Sequence, residues 1–171
     1  NIKKILTNKK NCKSVWFMRQ AGRYLPEFRK IRKNNPNFIE LCLNSELSSE
    51  ITLQPIERFN LDSAIIFSDI LMVPFALGQK VEFIQGYGPI LSNFNLEMFL
   101  NNDKITFSEK LHPVYKAIEI TRKKLDKKKS LISFVGAPWT LLIYMLGIKN
   151  KKNQINYKKI KSNEFEINLI L

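Results

Sequence analysis

The chain has 171 residues, of which 44% are apolar and 25% are charged, as in an ordinary globular domain. Its formal net charge of +13 comes mainly from lysine, which occurs with abundant isoleucine and asparagine, the set that an AT-rich coding sequence favours. The lysine runs at 123–129 and 149–161 lack a series of stacking aromatic side chains, so we expect solvated surface and no nucleic-acid partner.

Membrane and disulfide-rich classes are also disfavoured. No apolar run is long enough to span a bilayer, and we see no apolar segment of a secretory signal peptide. The two cysteines, Cys12 and Cys42, are too few for a disulfide framework and do not have the spacing of metal ligands. We therefore expect a reduced, cytoplasmic protein with no membrane partner.

In chain order, the sequence predicts a polar lead-in with helical tendency at 1–14, followed by helices and short strands. The predicted helices cover 26–33, 45–60, 70–78, 108–128, a segment beginning near Pro138, and 163–171. The predicted strands cover 63–67, 80–84 and 131–135, with a glycine-rich turn at 86–89. In the second helix, Ser45 is the expected N-cap and Pro55 a possible kink.

Two of the predicted strands, 63–67 and 131–135, are apolar on both faces, which is typical of buried parallel strands. Their alternation with helices predicts an α/β fold with parallel strands. In such folds the site lies just beyond the carboxyl ends of the strands. Asp69 follows the first of these strands and Gly136 follows the second, so we expect the site at these two positions.

Arginine is concentrated in the segment 17-FMRQAGRYLPEFRKIR-32. Four of the six arginines in this lysine-rich chain lie there, namely Arg19, Arg23, Arg29 and Arg32. Only arginine presents a planar fork that donates two hydrogen bonds to one carboxylate, so the segment predicts recognition of acidic groups. The alternative is a solvated helix face with intrahelical pairs such as Glu27 with Arg23.

Asp69 is the sharpest single feature, because its neighbours in 64-AIIFSDILMVPFAL-77 are nearly all apolar. A buried carboxylate needs a partner, so the position indicates either a ligand site or a cap on the following helix. Tyr144 lies in an apolar helix, where a core position is the simpler interpretation. His112 is expected at the surface, and we assign it no role.

Three segments together resemble the uroporphyrinogen decarboxylase family. The segment 16-WFMRQAGRYLPEFR-29 resembles the N-terminal signature of the family, while 62-DSAIIFSDILMVPFALG-78 and 136-GAPWTLLIYM-145 are similar to its next two motifs in the same order. The resemblance extends from Val15 to Met145. It implies a (β/α)8 TIM-type barrel, of which this chain, as a single domain over 1–171, covers roughly the N-terminal half.

The resemblance also implies an activity and a set of site residues. Family members remove carbon dioxide from the four acetate side chains of uroporphyrinogen III to give coproporphyrinogen III in haem synthesis, as homodimers without metal or organic cofactor. Asp69 matches the carboxylate that holds the pyrrole N–H groups. The other matching positions are Arg19, Gln20, Ala21, Gly22 and Arg23 in a substrate-binding loop, Arg32 near the substrate, and Tyr144 in contact with it.

The chains of the family are about twice this long, and a serine and a histidine from its later strands have no counterpart here. We therefore expect the chain to be inactive alone. Within the superfamily, the alternative is a corrinoid-dependent methyltransferase with a zinc site in its later part, against which the Arg19–Arg23 segment argues. A basic nucleic-acid-binding module is the second alternative, supported by net charge alone.

Overall fold

The computed structural model describes residues 7, 14–84, 86–148 and 154–170. The chain divides into two compact units, the first formed by residues 1–68 and 112–134 and the second by residues 69–111 and 135–171. The lead-in predicted at 1–14, apart from two residues, and the first part of the lysine run at 149–161 lie outside the described residues.

Helices account for most of the regular structure in the described residues. They are α1 (Pro26–Asn34), α2 (Phe38–Leu43), α3 (Ser45–Phe59), α4 (Met72–Ala76), α5 (Leu96–Leu100), α6 (Lys104–Lys124), α7 (Pro138–Met145), α8 (Tyr157–Ser162) and α9 (Glu164–Ile170). The strands are β1 (Ser63–Ile65), β2 (Val81–Ile84), β3 (Gly88–Leu91) and β4 (Ser130–Ile132). Each predicted helix and strand is confirmed with shifted ends, whereas α2, α5, α8 and β3 were not predicted.

The helix starts follow local chemistry. Pro26 and Pro138 occupy the first turns of α1 and α7, where the missing N–H group of proline costs no hydrogen bond. The expectation that Ser45 caps α3 is wrong. Asn44 has the extended backbone of an N-cap and its side chain accepts a hydrogen bond from Leu47 N at 3.0 Å, while Ser45 Oγ donates to Pro113 O at 2.8 Å.

The first unit contains the parallel sheet that the sequence predicts. Strands β1 and β4 pair in parallel, with Ser63 opposite Ser130. The Asp62 carbonyl and the Ile66 N–H bond to β4, since Ser130 N donates to Asp62 O and Ile66 N donates to Ile132 O, each at 3.0 Å. Ser63 and Ile65 therefore direct their backbone groups to the opposite edge of β1.

The second unit departs from the predicted alternation. Strand β2 pairs with β3 in an antiparallel hairpin, so the strand predicted at 80–84 does not join a parallel sheet. The predicted turn at 86–89 is shorter than expected, because Gly88 already begins β3. A short connection between two strands permits an antiparallel hairpin, whereas parallel strands need a crossover of a dozen or more residues.

The structure confirms the fold class as mixed α/β with one parallel pair of strands. The described residues form neither a closed barrel nor four parallel strands in series. Among the same residues, no helix combines the length and apolarity that crossing a bilayer requires.

Candidate active site

The arginine loop, residues 19–23, lies in the first unit immediately before α1. The side chains of Arg19 and Arg23 are exposed, and within the described residues neither guanidinium forms an ion pair or a hydrogen bond. The pair of Glu27 with Arg23 that a plain helix face would use is not formed. Glu27 instead accepts two hydrogen bonds from Arg58, at 3.0 and 2.9 Å.

Gln20 has a different environment from the two arginines beside it. It is only 4% exposed, and its amide is bonded to the free edge of β1. Gln20 Nε2 donates to Ser63 O at 2.8 Å, and Gln20 Oε1 accepts from Ile65 N at 3.2 Å. The side chain that the resemblance assigns to substrate binding is therefore engaged with the strand.

Two side chains outside the loop hold its backbone. The Tyr24 hydroxyl donates to Gln20 O, and Arg29 Nη1 donates to Arg23 O at 2.8 Å and to Tyr24 O at 3.2 Å. Burial, and to a lesser extent the negative charge of Glu27, raises the pKa of Tyr24, so the hydroxyl keeps the proton that it donates. Sequence reasoning did not identify Tyr24, because no spacing pattern marks a side chain that bonds to a loop carbonyl.

The small residues of the loop make ordinary contacts. Ala21 packs against the apolar cluster that contains Leu25, Phe28, Leu41 and Ile51. Gly22 O accepts a hydrogen bond from Leu25 N at 3.0 Å, and a Cβ added at Gly22 would lie 3.5 Å from the Tyr24 ring. Gly22 therefore fits here without backbone strain, and its role in the close approach of a ligand stays a prediction.

Arg32 is engaged within the chain. Its Nη1 donates to Asn35 O beyond the end of α1, and its guanidinium carbon lies 5.6 Å from the centroid of the Phe38 ring. These contacts stabilise the end of the helix, because a cation there matches the unpaired carbonyl groups. The expected role of Arg32 beside a substrate stays a prediction.

Asp69 begins the second unit, four residues after the last residue of β1. Its Oδ1 accepts a hydrogen bond from Leu71 N at 2.8 Å, which closes a tight turn before α4. In the part of the chain that is described, no Lys or Arg forms an ion pair with this carboxylate. Burial raises the pKa of Asp69, and the hydrogen bond from Leu71 N only partly offsets this effect.

The segments that were expected to follow the two parallel strands meet in this unit. Gly136 is buried, and a Cβ added there would lie 2.5 Å from Leu141 Cδ2 and 3.2 Å from Ile70 Cβ. A larger residue at position 136 would therefore require the Leu141 side chain to shift and would contact Ile70, the residue next to Asp69, unusually tightly. Tyr144 lies on α7, which begins two residues after Gly136, and is half-buried.

The structure thus places five of the predicted site residues in one loop of the first unit, and Asp69 and Tyr144 in the second unit. No group of three or more His, Cys, Asp or Glu side chains among the described residues is positioned to hold a metal ion. His112 is exposed on α6, as expected. These features define an α/β protein in which, among the described residues, two arginines on one loop lack a partner and a partly buried aspartate follows a parallel strand.

Comparison with known proteins identifies the family. The family model described as uroporphyrinogen decarboxylase (URO-D) matches residues 6–166, so the chain belongs to that family. The chain is 48% identical over 157 residues to the uroporphyrinogen decarboxylase of Orientia tsutsugamushi strain Ikeda, covering 92% of this chain and 45% of the relative. It is also 48% identical over 145 residues to that of Rickettsia canadensis strain McKiel, covering 85% of this chain and 43% of the relative.

The chain therefore spans less than half the length of these curated relatives. Among solved structures, a methyltransferase from Methanosarcina mazei superposes with a TM-score of 0.59 at 12% sequence identity. The superposition covers 98% of this chain and 48% of the methyltransferase. At this identity the likeness shows the fold alone.

Proposed function

We propose that this chain supplies the arginine loop and the central aspartate of an enzyme that decarboxylates the four acetate side chains of uroporphyrinogen III. The product is coproporphyrinogen III. Membership of the family and the identity of 48% to decarboxylases of two organisms support this assignment. The same resemblance supports a cytoplasmic homodimer for the full-length protein, whose mass in solution tests the dimer.

The arginine loop suits the substrate because uroporphyrinogen carries eight carboxylates at the rim of one macrocycle. Arg19 and Arg23 are exposed, and their guanidinium groups have no partner among the described residues. Each fork is free to donate two parallel hydrogen bonds to a carboxylate. Such bonds would fix the position of the substrate and hold an acetate group in line for reaction.

Asp69 suits the centre of the same substrate, where the pyrrole N–H groups converge. The carboxylate keeps acceptor capacity beyond the single bond from Leu71 N, and burial raises its pKa. The carboxylate is therefore partly shielded from water, and donors from a ligand would compensate for this. Pyrrole N–H groups would replace the missing water and favour its ionised form.

The chemical step requires protonation of one pyrrole ring. The resulting cation accepts the electron pair of the bond between the acetate methylene and its carboxylate, and carbon dioxide leaves. Addition of a proton to the methylene carbon and loss of the ring proton then give a methyl group and restore the pyrrole. The Asp69 carboxylate would stabilise the cation through its charge in a site of low dielectric.

The single observation that carries the proposal is the Asp69 carboxylate, partly buried and without a cationic partner in the described residues. A chimera tests it, in which residues 6–166 replace the matching part of the Orientia tsutsugamushi relative. We expect the chimera to convert uroporphyrinogen III to coproporphyrinogen III, measured by chromatography of the oxidised products. A folded chimera that releases no carbon dioxide, while the relative does so in parallel, would contradict the proposal.

A further inference from the structure

Gln20 belongs to the arginine loop and bonds it to strand β1. Of the loop residues it alone is buried, and each of its amide atoms has a backbone partner on β1. The partners are Ser63 and Ile65, whose backbone groups face away from β4. The amide side chain thus makes the two backbone hydrogen bonds that a neighbouring strand would make at this edge.

The chain that leads to the loop is attached to Asp62, the residue directly before β1. Val15 N donates to Asp62 Oδ2 at 2.7 Å, and Asp62 N donates to Val15 O at 3.0 Å. The segment between Val15 and Gln20 is therefore fixed at both ends to the start of β1. Arg19 directly precedes the second point of attachment.

Gln20 also connects to the far side of the loop. Its backbone carbonyl accepts the Tyr24 hydroxyl, while Arg29 holds the carbonyls of Arg23 and Tyr24. A displacement of Gln20 would therefore move the backbone on both sides of the loop. Arg19 and Arg23 have no side-chain bonds of their own in the described residues that would resist such a movement.

We propose that Gln20 is a positioning residue, which sets the place of the Arg19 and Arg23 guanidinium groups by bonding to β1 and does not itself bind substrate. The inference rests on the proposed function for the part that concerns substrate. The bonding of the loop to β1 can be tested without any substrate. Its amide directs one N–H and its oxygen at the strand, and with 4% exposure the side chain offers a ligand little surface.

Trypsin provides the substrate-free test, because it cleaves after Arg19 and Arg23 when the loop opens. In the chimera, Gln20→Leu removes both bonds and should raise cleavage at these two sites by about tenfold, measured by mass spectrometry of the fragments. Cleavage after Arg58 and Arg122, which lie in or at the ends of other elements, should not change.

The matched control is Gln54→Leu. Gln54 is 5% exposed on α3, and its amide atoms form no hydrogen bond within the described residues. Gln54→Leu therefore removes a buried amide without removing a hydrogen bond to a strand. Equal acceleration of loop cleavage by Gln54→Leu and Gln20→Leu would overturn the inference.

Steady-state kinetics of the chimera separate positioning from direct contact. Gln20→Leu should raise KM for uroporphyrinogen III and lower kcat/KM by about 10²-fold, the effect expected for a displacement of about 1 Å. In Gln20→Glu the protonated carboxyl has the same one donor and one acceptor, so KM should approach that of the unchanged chimera as the pH falls. A raised KM with unchanged loop cleavage would show direct contact with substrate and refute positioning. If Gln20→Leu accelerates loop cleavage but the unchanged chimera has no activity, the bonding of the loop to β1 is confirmed and the proposed function is refuted.

Discussion

Replacement of Asp69 by asparagine tests the charge at the centre of the proposed site. Asparagine is nearly isosteric and keeps the oxygen that accepts from Leu71 N at 2.8 Å, so the turn before α4 should persist. The substitution removes the negative charge and little else. In the chimera, we expect turnover to fall by about 10²–10³-fold, as for the loss of one preorganised electrostatic group.

The same substitution should make the fold more stable at neutral pH. Because burial raises the pKa of Asp69 in the folded state, the ionised carboxylate costs free energy of folding at pH 7. The folded state binds the additional proton between the unfolded pKa of 3.8 and the raised folded pKa, so the cost grows as the pH rises through this interval. Asp69→Asn should therefore raise Tm at pH 7, by about 2–4 °C for each kcal/mol of cost removed. The gain should vanish on acidification below this interval.

Asp103 provides a matched control for this substitution. Its Oδ1 accepts hydrogen bonds from Ile105 N at 2.8 Å and Thr106 N at 2.9 Å at the start of α6. Hydrogen bonds, first from the side chain of Thr106, lower the pKa of Asp103, so its charge stabilises the fold above the unfolded pKa. Asp103→Asn should lower Tm slightly and leave turnover unchanged. Near-normal turnover of Asp69→Asn with no gain in Tm would mean that Asp69 serves only the turn before α4, and would refute a role for its charge in the reaction.

Further predictions concern the arginine loop, a buried glycine and the isolated chain. In the chimera, Arg23→Lys keeps the charge but loses the fork, so KM should rise about tenfold, equivalent to one charged hydrogen bond of about 1.5 kcal/mol. Lys127→Ala in the lysine run should change neither KM nor Tm, and equal effects of the two substitutions would contradict bidentate recognition. Gly136→Ala should cost about 1–3 kcal/mol by thermal unfolding, because its Cβ would lie 2.5 Å from Leu141 Cδ2, whereas the Cβ of Gly22→Ala meets Tyr24 at an ordinary 3.5 Å and should cost little. The 171-residue chain alone should aggregate and lack activity, and a soluble monomer with a sharp thermal transition and measurable decarboxylation would contradict this.

The sequence predicted most of what depends on periodicity and strand composition. Apolar runs on both faces gave the parallel pair of β1 and β4, and proline at the first turn located the starts of α1 and α7. Helices α2, α5 and α8 have five or six residues each, too few for a helical period to be recognised. Strand β3 was missed because Gly88 and Pro89 favour a turn when only local preferences are considered.

The candidate site was predictable in its residue types but not in its internal bonding. The arginine segment and Asp69 followed from charge and fold position. The attachment of Gln20 to Ser63 and Ile65 joins residues more than 40 positions apart in the chain, and no local pattern in one sequence encodes such a pair. Gln20 thereby occupies part of the β1 edge that faces away from β4.

The structure gives a physical reason for the choice of arginine in a lysine-rich chain. Arg58 bonds both carboxylate oxygens of Glu27, and Arg29 bonds two carbonyl groups of the loop. Arg122 donates to three carbonyl groups, those of Leu125, Asp126 and Lys129. An ammonium group can also bond two acceptors, as Lys129 Nζ does with Asn60 Oδ1 and Leu61 O, but it lacks the planar fork that meets both oxygens of one carboxylate.

Arg19 and Arg23 are the two arginines whose guanidinium groups have no such acceptors among the described residues. The other four include Arg32, which combines a carbonyl group with an aromatic ring. If arginine is retained in this chain where several acceptors must be matched, the acceptors of Arg19 and Arg23 lie outside the described residues. In the proposed function, a substrate with eight carboxylates would provide them, and a loop bonded to β1 through Gln20 would keep both guanidinium groups in place before that substrate arrives.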